Sequence, residues 1–259
     1  MKQTLLSQRS PLRLSLRSGF FLGAIAGLGF VIDPQPLRAN PALPMIFNAP
    51  PPPTDQGSPR GRSQGGASRG SCQKYEALTA LVPTVQESVG GLTTIAHPTF
   101  WFYLPSSLTA ETSIEFVLQD ATDQEIYSTL FKAPDTQPGL ISLSVPTTAP
   151  PLEIGKSYSW TLVLYCNPAK PSDSVYVQGT VTRTLSSPEQ QTQLAAATPL
   201  EQARLYAAAG IWYEALTTLA ELQRSQPNQA QTTAAWTELL QQVNLESLKA
   251  QPISPCCQF

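Results

Sequence analysis

Residues 112–131, TSIEFVLQDATDQEIYSTLF, contain the pattern that decides the fold of this chain. Ile114, Phe116 and Leu118 occupy every second position, so an extended backbone places all three on one face. The segment DATDQ, residues 120–124, is rich in turn formers and separates this run from a second β-rich run. We therefore expect an antiparallel hairpin with one buried face.

Short β-rich runs of the same kind, bounded by Pro and Gly, recur on both sides of this hairpin. Seven strands are predicted over residues 74–82, 99–104, 112–119, 125–131, 140–145, 158–166 and 174–183. No helical crossover separates them, which favours antiparallel pairing. Leu152-x-x-Gly155-x-x-Tyr158 resembles the tyrosine corner of immunoglobulin-like sandwiches, in which the Tyr hydroxyl bonds upstream backbone. We predict an α+β, mainly β fold in which residues 72–186 form an antiparallel immunoglobulin-like β-sandwich.

From residue 187 the apolar spacing becomes that of helices. Thr198 and Pro199 are typical of a helix start and Gly210 of a helix end, and further helices are predicted over 212–225 and 229–243.

Seven positions in these helices match the offsets of a tetratricopeptide repeat, with a departure at Leu222: Tyr206, Gly210, Trp212, Ala215, Leu219, Leu222 and Pro227. A lone repeat cannot bury its apolar face. We therefore expect residues 187–248 to form a small helical hairpin or three-helix module that docks on the sandwich or on a partner. Residues 249–259 form a C-terminal tail.

The N-terminus has the pattern of an export signal. Residues 1–18 carry four basic and no acidic side chains, the next 14 residues are apolar, and Ala39 offers a small cleavage position. A retained anchor is the alternative, but a spanning helix needs about 20 apolar residues. We predict a signal peptide over residues 1–39, a periplasmic or extracellular location, and no membrane span after cleavage.

Residues 40–71 contain seven Pro, five Gly and four Ser, a composition that predicts a disordered linker. Arg60, Arg62 and Arg69 make it basic, which serves either solubility or contact with an anionic polymer or lipid headgroups. The whole chain has a formal charge of −2, and residues 72–259, with 8 basic and 16 acidic residues, have −8. This balance argues against a nucleic-acid partner.

Export also places the four Cys residues in an oxidising compartment. Cys72 precedes the first predicted strand and Cys166 ends a late one, so we predict a structural disulfide between them. For Cys256 and Cys257 a free pair, an intermolecular bond and a bond to the folded body all remain open. The chain has no C-x-x-C spacing to support a metal site.

Catalytic patterns are lacking in the sequence. His97 is the single His, stands beside Pro98, and reads as a turn or core residue, because no nucleophile elbow or paired His accompanies it. Asp120 and Asp123 share a loop but supply too few oxygen ligands for calcium. We predict no catalytic residues, no metal, no cofactor and no enzymatic activity.

The densest aromatic run is the candidate for binding. In a strand, Phe100 and Phe102 face one way and Trp101 and Tyr103 the other. The outer pair either receives the C-terminal helices or forms a platform for a sugar ring or a peptide. The candidate binding surface therefore comprises Trp101 and Tyr103, together with a helical groove near Tyr206 and Trp212.

Five motifs, taken together, carry a family resemblance: LTALVP (78–83), HPTFWFYLP (97–105), EFVLQD (115–120), TAPPLEIGKSYSW (148–160) and AAAGIWYEAL (207–216). They resemble a cyanobacterial family known as domain of unknown function 928, and the likeness covers residues 72 to about 245. The resemblance implies an exported protein of a photosynthetic bacterium and assigns no catalytic residues.

These observations predict an exported, non-enzymatic interaction or binding protein of the cell envelope, whose partner is a protein or an envelope polymer. One alternative is a carbohydrate- or envelope-polymer-binding accessory module. A second is a hydrolase, which would require carboxylates clustered around His97 in a cleft.

Overall fold

The protein folds into two β-sheets and a set of C-terminal helices. The computed structural model describes residues 43–51, 61–66, 70–167 and 169–254. The strands in this part of the chain are β1 (Thr79–Ala80), β2 (Thr84–Val85), β3 (Ser88–Thr93), β4 (Thr99–Leu104), β5 (Ser113–Gln119), β6 (Glu125–Phe131), β7 (Gly139–Ser144), β8 (Ser157–Tyr165) and β9 (Ser174–Arg183). Its α-helices are α1 (Pro188–Ala196), α2 (Pro199–Ala208), α3 (Trp212–Ser225) and α4 (Ala230–Gln241).

One sheet has three strands in the order β1-β4-β7, and the other has six in the order β2-β3-β9-β8-β5-β6. Neighbouring strands are antiparallel except β3 and β9, which are parallel. The predicted mixed, mainly β fold is confirmed.

The predicted hairpin is present as β5 and β6. Ile114, Phe116 and Leu118 are fully buried in the core. In the connecting loop, Asp120 Oδ1 accepts hydrogen bonds from the backbone N–H groups of Thr122 and Gln124 and from the Thr122 hydroxyl. The Thr122 bonds hold the pKa of Asp120 below its usual value. This carboxylate therefore closes a turn.

Two further sequence predictions of local structure are confirmed. Cys72 and Cys166 form a disulfide between residues 94 positions apart. Tyr158 is buried, and its hydroxyl oxygen accepts a hydrogen bond from the backbone N–H of Glu153 at 2.9 Å. Tyr158 is therefore structural.

The first predicted strand, over residues 74–82, is wrong in extent, and β3 was missed. Residues Gly70–Tyr75 form a 3-10 helix, because Cys72 is tied to Cys166 and the Tyr75 hydroxyl donates to the Ser107 carbonyl oxygen. β3 contains two adjacent glycines, which weaken a strand pattern but allow close backbone approach.

Parts of the predicted linker pack against the folded body. Met45 is only 3% exposed. Arg62 exchanges two backbone hydrogen bonds with Gln178 of β9, and its guanidinium lies 4.9 Å from the centre of the Tyr176 ring. Residues 40–42, 52–60 and 67–69 of the predicted linker, the predicted signal at residues 1–39, and the pair Cys256 and Cys257 lie outside the described residues, so what the sequence indicates for them stays a prediction. In the described part of the chain, no helix is both long and apolar enough for a membrane span.

Candidate functional site

The helices dock on the sheets through the first turns of α3. Trp212 is fully buried, and its Nε1 donates to the Leu81 carbonyl oxygen at 2.9 Å. A Cβ at Gly91 of β3 would lie 2.9 Å from Trp212 Cβ, so glycine there makes room for the helix. The Trp101 Nε1 of β4 donates to Thr217 Oγ1 of α3 at 3.0 Å. The outer aromatic face therefore receives the helices.

Tyr213 links α3 to the larger sheet. Its hydroxyl accepts a hydrogen bond from Trp160 Nε1 and donates one to the Thr180 carbonyl oxygen, each at 3.0 Å. The rings of Tyr213 and Phe100 pack in a T-shaped arrangement, with their centres 5.1 Å apart. Burial raises the pKa of Tyr213, so the hydroxyl keeps the proton that it donates.

Glu214, in the first turn of α3, completes this joint. It is buried, and its Oε1 accepts hydrogen bonds from Thr93 Oγ1 at 2.7 Å, Thr94 N at 2.7 Å, Thr94 Oγ1 at 3.1 Å and Ile95 N at 3.0 Å. Helical periodicity gives no sign of this role, because the donors belong to the last residue of β3 and the two residues after it.

On the helical side of this joint lies an extended segment, residues 43–50, which we call the arm. The Gln242 amide grips its main chain twice: Oε1 accepts from Phe47 N and Nε2 donates to the Met45 carbonyl oxygen, each at 2.8 Å. Glu238 Oε2 accepts from Met45 N at 2.7 Å. All three bonds involve main-chain atoms of the arm.

The far end of the arm rests on the turn between α2 and α3. Asn48 N donates to the Ala207 carbonyl oxygen at 3.1 Å, and Asn48 Nδ2 donates to that of Ala208 at 2.7 Å. A Cβ on Gly210 would lie 2.6 Å from the Asn48 carbonyl oxygen, and Gly210 has a φ of +75°. Gly210 therefore serves both the helix end and the close approach of the arm.

In the middle of the arm, the side chains of Met45 and Phe47 face the body, and that of Ile46 between them faces solvent. Met45 is buried, and the Phe47 ring packs edge-on against Trp212 at 5.0 Å between centres. Leu43 and Ile46 are 69% and 53% exposed. We call the surface under the arm the arm site; it comprises Ala207, Ala208, Gly210, Trp212, Glu238 and Gln242.

The four residues of the predicted binding surface lie in different environments in the structure. Trp101 and Trp212 are buried, and α3 covers Trp101. Of the two alternatives for the outer aromatic pair, the structure therefore favours docking of the helices, and Trp101 offers no exposed ring to a sugar or a peptide. Tyr103 is half-buried between β1 and β7. Tyr206 is half-buried, and burial raises its pKa. The Trp212 ring contacts Phe47 of the arm, at the place where the sequence predicts a helical groove.

Sequence reasoning missed the arm, Glu238 and Gln242. The one signal was LPMIF, residues 43–47, an apolar run inside a stretch whose composition is that of a linker. An exposed Gln on a helix carries no signal of its own, because its role depends on a segment about 195 residues away in the chain.

His97 has a structural place. Its Nε2 donates to the Ala149 carbonyl oxygen at 3.0 Å, as expected of a turn residue. In the part of the chain that the structure describes, no three or more His, Cys, Asp or Glu side chains cluster in a way that could hold a metal.

A separate cleft of about 300 Å³ lies between the end of α3, α4 and the chain after residue 248. Arg224 and Lys249 are the cations that line it, and Trp236 closes its floor with an Nε1 bond to the Lys249 carbonyl oxygen at 3.1 Å.

The comparison with family models agrees with the motif resemblance. The model of a family described as Domain of Unknown Function (DUF928) matches residues 64–253, which is 190 of the 259 residues. No curated protein matches the chain. The matched range contains both sheets, the disulfide, the α3 joint and Gln242, whereas the arm precedes it. Since the match covers well over half of the sequence, the chain belongs to the family described as Domain of Unknown Function (DUF928).

Proposed function

We propose that this protein is an exported, non-enzymatic interaction protein of the cell envelope that binds an extended protein segment at the arm site. The observation that carries the proposal is the double grip of Gln242 on the main chain at Met45 and Phe47. Main-chain groups are common to all peptides, so a site that reads them accepts segments in extended form.

Specificity would come from the two side chains that face the body. Met45 is buried and Phe47 meets the Trp212 ring, two positions apart, as in a bound β-strand. We infer that the preferred ligand has apolar side chains at alternate positions followed by Asn, which reaches the carbonyl groups at the end of α2.

The finer architecture belongs to this proposal. An immunoglobulin-like sandwich is supported by the tyrosine corner at Tyr158, the disulfide, and a β3 strand that pairs parallel with β9 at one side of the larger sheet. A tetratricopeptide-like hairpin is supported by the close packing of α2 on α3 around buried Ala207, Ala215 and Leu219. A cyanobacterial source follows from the motif resemblance.

The proposed export predicts a processed N-terminus. The basic start, the 14-residue apolar run and the Cys72–Cys166 disulfide all suit an exported protein. Mass spectrometry of the protein purified from the envelope fraction is expected to find a chain that begins at Asn40. A chain that begins at Met1 would contradict cleavage of the signal, and a chain that stays in the cytoplasmic fraction would contradict export.

A carbohydrate- or envelope-polymer-binding module remains the second candidate. It rests on the Tyr176 ring, which is 37% exposed on the outer face of the larger sheet beside Arg62. A hydrolase is the weakest candidate, because the His97 ring is committed to a backbone carbonyl.

Peptide binding separates these functions. In the chain from Asn40, the double change Met45→Asp with Phe47→Asp places two charges where the arm meets the body, and we call it the unseated variant. Binding of a labelled peptide of residues 40–51 is measured by fluorescence anisotropy. The peptide is expected to bind the unseated variant, and to bind the unmodified chain at least about tenfold more weakly. The reason is that the tethered arm of the unmodified chain competes for the site at an effective concentration of about 1 mM.

The matched control is Leu43→Asp with Ile46→Asp, which adds the same charge at the exposed positions of the arm. It should behave like the unmodified chain. Binding of envelope polysaccharide by the unseated variant, with no binding of the peptide, would favour the polymer module and contradict the proposal.

A further inference from the structure

We propose that the arm exchanges between two copies of this chain, each arm filling the arm site of the other copy. The inference rests on the proposed function, because it requires that the arm site bind an extended segment that reaches it from outside. It adds the identity of one partner, a second copy.

The arm is held as a separable piece. Its bonds to the body run to the Gln242 and Glu238 side chains and to two carbonyl groups at the end of α2. Only Met45 is buried, and Phe47 is half-buried. A segment with so few buried side chains opens at a small fraction of the stability of the whole fold.

The exposed side of the arm is apolar. Leu43 and Ile46 are two of the large apolar side chains most exposed to solvent among the described residues. In a closed single copy they stay in water, whereas two copies that approach to exchange arms can bury them against each other.

The chain next to the arm is long enough for exchange. After the arm, the chain is next held to the body at Arg62, whose backbone pairs with that of Gln178 in β9. Between the end of the arm at residue 50 and Arg62 lie residues 51–61, eleven residues of which four are Pro. A chain of eleven residues reaches at most about 36–40 Å, so its length allows the arm to extend away from its own copy. With the predicted cleavage after Ala39 the arm is also a chain end, so it leaves its site without threading.

The balance between closed and exchanged forms is set by concentration and charge. Both forms contain the same arm contacts, so the tethered arm favours the closed copy until the concentration nears the effective value of about 1 mM. The charge of −8 on residues 72–259 makes two copies repel, and salt screens this repulsion. Exchange is therefore expected to increase with protein concentration and with ionic strength.

Two variants that cannot close on themselves test the exchange. The acceptor is the unseated variant, which has an intact arm site and a disabled arm. The donor is Glu238→Ala with Gln242→Ala, which has an intact arm and a disabled site; both substituted side chains reach solvent, so the fold is kept. Sedimentation velocity at 0.1 mM is expected to give single copies for each variant alone and a 1:1 complex of twice the mass for the mixture.

The outcomes distinguish the two proposals. If the labelled 40–51 peptide binds the acceptor while the mixture of donor and acceptor stays at the mass of one copy, exchange is overturned and the proposed function stands. If the peptide fails to bind the acceptor, both fall. If the unmodified chain forms a dimer and the acceptor alone forms the same dimer, exchange is also overturned, because the acceptor has no functional arm and its dimer would not use one.

Discussion

Trp212→Ala is expected to lower the free energy of unfolding by about 3–5 kcal/mol, the range for removal of a fully buried Trp or Phe from a core. The side chain is fully buried, donates to the Leu81 carbonyl oxygen and packs where β3 has Gly91. Its loss leaves a cavity between the helices and both sheets and also removes the ring under Phe47 of the arm. Urea unfolding at equilibrium measures the change.

Tyr213→Phe is the matched control for this joint. It keeps the ring beside Phe100 and removes only the hydroxyl that joins Trp160 to Thr180. The expected loss is about 1–3 kcal/mol, because a buried donor and a buried acceptor lose their partner. A Trp212→Ala variant as stable as the unmodified chain would contradict the docking of α3 between the sheets.

Removal of the disulfide is the second large effect. Cys72→Ser with Cys166→Ser is expected to cost up to about 4–5 kcal/mol, since the bond closes a loop of nearly 100 residues in the unfolded chain. The two Cys are 94 positions apart, and their bond joins the 3-10 helix before β1 to the residue that follows β8. Substitution of both residues avoids a free buried thiol.

The pair Cys256 and Cys257 provides the control. The variant Cys256→Ser with Cys257→Ser should have the same urea midpoint as the unmodified chain. When dithiothreitol is added to this control, its urea midpoint should fall to that of the Cys72→Ser, Cys166→Ser variant. If dithiothreitol leaves the control unchanged, the 72–166 bond is not what closes the loop.

Much of the β-structure could be predicted from local pattern, because strands with one buried face alternate visibly. β4, β6 and β9 begin and end at the predicted residues. β3 could not be found in this way: its glycines read as a turn, and they are there because Trp212 and Thr180 approach them closely. That approach is a tertiary fact about residues more than 80 positions away in sequence.

For the helices, too, the sequence predicts the bounds of the elements better than their tertiary contacts. Capping residues and periodicity predict the start of α2 at Pro199 and the whole of α3. They do not say what a helix covers. The burial of Trp101 under α3 was one of two alternatives. The buried role of Glu214 was not foreseen, because its donors belong to Thr93 at the end of β3 and to the two residues after it.

The arm site was the least predictable feature. A Pro-rich composition indicates a segment that does not enter a core, and most residues of the arm are in fact exposed. Its order comes from main-chain hydrogen bonds to Gln242 and Glu238, and main-chain groups leave no trace in the sequence of the segment they belong to.

The central claim is that the arm site reads the main chain of an extended segment through Gln242. The direct measurement is a calorimetric titration of the 40–51 peptide into the unseated variant, with and without Gln242→Ala, and with Gln241→Ala as the exposed neighbouring control. The account predicts that Gln242→Ala weakens binding about tenfold or more, as the loss of two hydrogen bonds requires, while Gln241→Ala leaves it unchanged. Equal affinities for all three proteins would contradict the claim.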